Sequence, residues 1–94
     1  MLNKELKVYL PARQGDNSYH RAKLSPNENG YTYALYSYEN NIESLVGFGI
    51  IPERLHDTIT IFASHTNVDK ALVALREHFY GVLNNHIKSV TFNY

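Results

Sequence analysis

The stretch TNVDKALVALREHFYGVLNNH, residues 66–86, decides how this chain folds. At about 100° per residue, Val68, Ala71, Leu72, Leu75, Phe79, Val82 and Leu83 fall within one arc of roughly 120°. Thr66, with Asp69 three residues on, matches a helix start: hydroxyl and carboxylate each take a backbone N–H that the first turn leaves unpaired. The spacing predicts a helix of roughly 19 residues, ~28 Å long and able to cross a small sheet.

Working outward, the rest reads mostly as strands. Residues 5–10 alternate, with Leu6, Val8 and Leu10 on one face and Glu5, Lys7 and Tyr9 on the other, until Pro11 ends the run. Residues 19–24 divide into Tyr19, Arg21, Lys23 and His20, Ala22, Leu24. The turn at residues 25–30 carries Pro26 and Asn29-Gly30, and residues 31–38 hold Tyr31, Tyr33, Tyr36 and Tyr38, so the two runs pair as a hairpin. Residues 44–50 place Val46, Phe48 and Ile50 on one face and Leu45, Gly47 and Gly49 on the other. Pro52 begins a connection with room for a helical turn. Residues 58–62 read as a short strand with Ile59 and Ile61 inward, and residues 90–94 as a closing strand.

The expected architecture is therefore one α+β domain spanning residues 1–94: an antiparallel sheet of five to six strands, order βββββαβ, with one long C-terminal helix on one face. A single helix covers a single face. The other face should then present Tyr9, Tyr19, Arg21 and Lys23 with some of the tyrosines of 31–38.

The chain has 94 residues, of which 44% are apolar, and no cysteine. Disulfides, thiol catalysis and the usual structural zinc ligands are excluded. Neither a membrane span nor a secretory leader is apparent, which suits a cytoplasmic location. The net charge of zero conceals segregation: +3 over residues 1–24, −5 over 25–69 and +2 over 70–94. Opposed charge suits self-association or orientation of a partner, and a zero total argues against strong non-specific nucleic-acid binding.

No catalytic constellation stands out. His78 and His86 are eight apart, His56-Asp57 and His65 flank the run at 58–62, and neither a metal-ligand spacing nor a serine elbow is present, so no metal and no cofactor is expected. Gly47-Phe48-Gly49 is unusual in a strand; two glycines on one face point to a bulge, a close approach, or a slot for a ligand or a partner's side chain. Val73 and Tyr80 lie seven apart on the polar side of the helix, a candidate contact stripe. The expected function is non-enzymatic protein binding, of an accessory, inhibitor or immunity type, through a tyrosine-rich sheet face, with homodimerisation. The interaction residues are Tyr9, Tyr19, Arg21, Lys23, Tyr31, Tyr33, Tyr36, Val73 and Tyr80. The alternative is single-stranded nucleic-acid binding, with rings stacking on bases and weak ribonuclease activity.

Overall fold

A computed structural model of the chain describes residues 5–11, 18–28, 30–64 and 68–86. Four strands, β1 (Leu6–Pro11), β2 (Tyr19–Asn27), β3 (Gly30–Glu39) and β4 (Ile42–Ile50), form an antiparallel meander in the order β1-β2-β3-β4. A 3-10 turn at Glu53–Leu55 leads into α1 (His56–Ala63), and α2 (Val68–His86) follows.

The hairpin of β2 and β3 forms as the tyrosine-rich run predicts, but it is longer: pairing continues past Pro26↔Tyr31 to Asn27↔Gly30. β1 joins β2 only from Leu6↔Leu24 onward, so Pro26 sits where one neighbour suffices. Gly30 has a φ of +137°, and a Cβ there would stand 2.5 Å from His56 Cε1, so the bend needs glycine on both counts.

Three expectations change. Residues 58–62 are helix, not strand: Leu55, Ile59 and Ala63 recur every four residues and are buried, whereas Ile61 is exposed. The Thr-Ile-Thr-Ile alternation imitates a strand, yet Thr60 Oγ1 donates back to the His56 carbonyl at 3.1 Å, a bond a helix offers a threonine. The described sheet thus has four strands rather than five to six, and the helical layer has two members rather than one. The closing strand expected at 90–94 and the Thr66 cap lie outside the described residues.

The helical layer covers the face that carries Val8, Leu10, Ala22, Leu24, Tyr31, Tyr33 and Leu35. From α2 it contributes Leu75, Phe79 and Leu83, all fully buried, with Leu72 and Val82 at the margin, which is the arc predicted from spacing. Leu55 and Ile59 complete the core from the α1 side.

Candidate interaction surface

Register fixes what the opposite face presents. In one row Tyr9 faces Arg21, Arg21 faces Tyr36, and Tyr36 faces Leu45. In the next, Lys7, Lys23, Ala34 and Phe48 stand abreast, and beyond them Ser25, Thr32 and Ile50. At the other end Pro11, Tyr19, Tyr38 and Glu43 line up.

The side chains knit this face together on its β1 side. Tyr19 stacks on Tyr38 with ring centres 4.7 Å apart and meets Tyr9 at 5.7 Å. The Arg21 guanidinium lies 5.0 Å from the centre of the Tyr36 ring and bridges Glu43 at 3.0 Å. Lys23 Nζ lies 3.4 Å from Glu5, which relieves the like-charge pairing of Lys7 with Lys23. The Tyr38 hydroxyl donates to Asn41 Oδ1 at 2.8 Å.

Toward β4 the face turns apolar and open. Leu45 is 56% exposed, Phe48 74% and Ile50 79%. The cause is a bulge between Leu35 and Tyr36 on β3: Leu35 faces Gly47 while Tyr36 faces Leu45, so Val46 is the extra residue. The expected grouping of Val46 with Phe48 and Ile50 is corrected accordingly. Val46 packs toward the core, and Leu45 joins Phe48 and Ile50 outside.

The remaining sequence-predicted residues divide. Tyr9, Tyr19, Arg21, Lys23 and Tyr36 share the uncovered face. Tyr31 and Tyr33 do not: they are buried among the helices, because alternation along β3 puts odd positions with Leu35 on the core side. Tyr33 meets Phe79 edge-on at 5.5 Å, and burial pushes its phenol above the usual tyrosine range. The glycine slot is also corrected. A Cβ on Gly49 would stand 2.7 Å from Tyr33 Oη, so the space above this glycine is filled by a ring of the same chain. Phe48 points away from it, into solvent. Val73 and Tyr80 do line one shallow groove of about 510 Å³ on α2, with Arg76, Glu77, Gly81 and Asn84. Tyr80 is only half-exposed there, because its hydroxyl donates to the Pro11 carbonyl at 3.3 Å.

The histidines sit in separate packings. His20 is buried on the core face of β2, and burial lowers its pKa. His56 packs on Gly30 and edge-on to Tyr31 at 5.6 Å. His78 Nδ1 lies 3.4 Å from an Arg54 nitrogen; burial, then the Arg54 charge, lower its pKa. Among the described residues no group of three or more side chains could hold a metal ion, and no helix is long and apolar enough to cross a membrane.

Sequence reasoning named Phe48 only as part of a glycine-flanked slot and passed over Leu45 and Ile50 as contact residues, because apolar strand positions read as core. The available signal was the pair of glycines, of which Gly49 fits under the Tyr33 ring and so belongs on the inner side.

Among the described residues, the fold and this face define a four-stranded antiparallel meander with one helical layer and one ring-rich face that no described element covers. Compared with family models, with curated proteins and with solved structures, the chain matches none of them.

Proposed function

We propose that this chain is a protein-interaction module with no chemistry of its own, and that it works through the uncovered face of its sheet. The observation that carries the reading is the exposure of Phe48 and Ile50, 74% and 79%, beside a row of ordered rings. Single exposed apolar residues mean little, but Leu45, Phe48 and Ile50 on one strand form a contiguous patch rimmed by Tyr36, Arg21 and Lys23. Rings and arginine around an apolar centre are the composition of a protein contact. The interaction set becomes Tyr9, Tyr19, Arg21, Lys23 and Tyr36, joined by Tyr38, Leu45, Phe48 and Ile50, while Val73 and Tyr80 stand apart on α2. Tyr31 and Tyr33 leave it.

The nucleic-acid reading has less support. Arg21 is engaged with Glu43 and Lys23 with Glu5, so phosphate would have to displace a carboxylate at each.

The test is capture from the native host by the unaltered chain and by a Tyr36→Ser, Phe48→Ser double variant. Both positions face solvent, so helicity should be unchanged. The variant is expected to lose at least tenfold of a specifically captured protein; equal capture by both, with affinity for single-stranded RNA that falls steeply with salt, would replace this reading by the alternative.

A further inference from the structure

We infer that the partner at the β4 side is a second copy of this chain, docked edge to edge so that the two β4 strands pair antiparallel and the two sheets become one of eight strands. The inference rests on the reading of this face as a protein contact, and names its occupant and its geometry.

The first argument is the difference between the sheet's edges. At β1 the Arg76 Nε donates to the Tyr9 carbonyl at 3.1 Å and the Tyr80 hydroxyl to the Pro11 carbonyl. Those carbonyls are two residues apart and so point to one side of the strand. They are held by α2, and an incoming strand finds them taken. β4 reads IESLVGFGI and contains neither lysine nor proline, the residues that most often keep edges from pairing. Its one blunting device is the bulge at Val46, and Gly47 to Ile50 run past it.

The second argument is backbone direction. The Ile51 amide donates to the Tyr31 carbonyl at 2.9 Å. Alternation then turns the Gly49 groups toward β3 and the Phe48 and Ile50 groups toward the outer edge, which no other described strand pairs. The same two residues thus offer apolar side chains on the open face and hydrogen-bonding groups at the open edge.

The third argument is area and charge. Leu45, Phe48 and Ile50 together expose on the order of 400 Å² of apolar surface, within the range of the largest patch on a monomer. Pairing of the two edges sets Phe48 and Ile50 of one copy beside those of the other on the same face, so side-chain contact across the seam adds to the backbone bonds. A copy brings no like charge to the contact: the only ionised group on β4 is Glu43, already bridged to Arg21. α2 ties its Arg76 and Tyr80 to β1, the edge farthest from β4.

The experiment is amide hydrogen exchange of the full chain in dilute and concentrated solution, with solution mass measured on the same samples and Ile50→Lys as the variant. The Phe48 and Ile50 amides are expected to exchange at least tenfold more slowly in the concentrated sample, as the mass doubles from 10.8 kDa. Ile50→Lys should abolish both changes. Doubled mass without slower exchange would overturn edge pairing and leave the face reading standing. A mass fixed at the monomer would overturn the second copy as occupant, and the face reading would then stand or fall on capture of another protein. Slow exchange already present in the dilute monomer would assign the edge to a segment of the same chain, such as residues 87–94, and overturn the proposal.

Discussion

At the β1 edge, Arg76 and Tyr80 reach from α2 to the carbonyls of Tyr9 and Pro11; at the β4 edge, Leu45, Phe48 and Ile50 stand open to solvent. Both strands belong to one sheet and both lie at its margin. β1 alternates strictly, so Val8 and Leu10 are fully buried and only Tyr9 is an exposed ring. β4 puts its small residues, Gly47 and Gly49, toward the core and its large ones outward. The difference teaches where the chain's stability resides and where it does not. Burial on the β1 side holds the monomer together, whereas the apolar area on β4 contributes little until something covers it.

The glycine side of β4 gives the largest test of that contrast. Gly49→Ala should destabilise the fold by about 1–3 kcal/mol, because the new methyl group must displace the Tyr33 ring, which is wedged against Phe79. Urea unfolding measures it; a loss below a few tenths would mean that Tyr33 does not lie over this glycine.

A smaller effect sharpens the comparison from the other edge. Arg76→Ala removes a hydrogen bond to the Tyr9 carbonyl and should cost about 0.5–1.5 kcal/mol. It should also give β1 the freedom to pair that β4 already has, so the variant is expected to form species larger than a dimer. A variant that matches the unaltered chain in both respects would remove the distinction between the two edges.

Much of this fold was legible because periodicity is a direct imprint of burial. Val8 and Leu10, Ala22 and Leu24, and the stripe from Ala71 to Leu83 were all placed correctly by counting residues. Counting failed where another effect shared its signal. In α1, β-branched residues alternate with polar ones over so few positions that a strand and a helix fit equally well, and the arbiter is Leu55, which lies before the run. In β3, tyrosines occupy both faces, so composition cannot say that Tyr31 and Tyr33 are inside while Tyr36 and Tyr38 are outside. In β4, a bulge of one residue reverses the faces below it; the glycines beside Val46 point to a bulge or a close approach but not to which residue is the extra one. The proposed contact surface was half legible for the same reason: its polar, ring-bearing part on β1 and β2 follows from alternation, and its apolar part on β4 does not.

The most direct test joins folding and association in one variant, Phe48→Lys, measured by urea unfolding in dilute solution and by solution mass in concentrated solution. Folding free energy should stay within about 0.5 kcal/mol of the unaltered chain, since the ring touches solvent rather than core. The mass of the concentrated variant should remain at 10.8 kDa while the unaltered chain doubles. A marked loss of stability with the mass behaviour unchanged would show that Phe48 belongs to the core and would contradict the account.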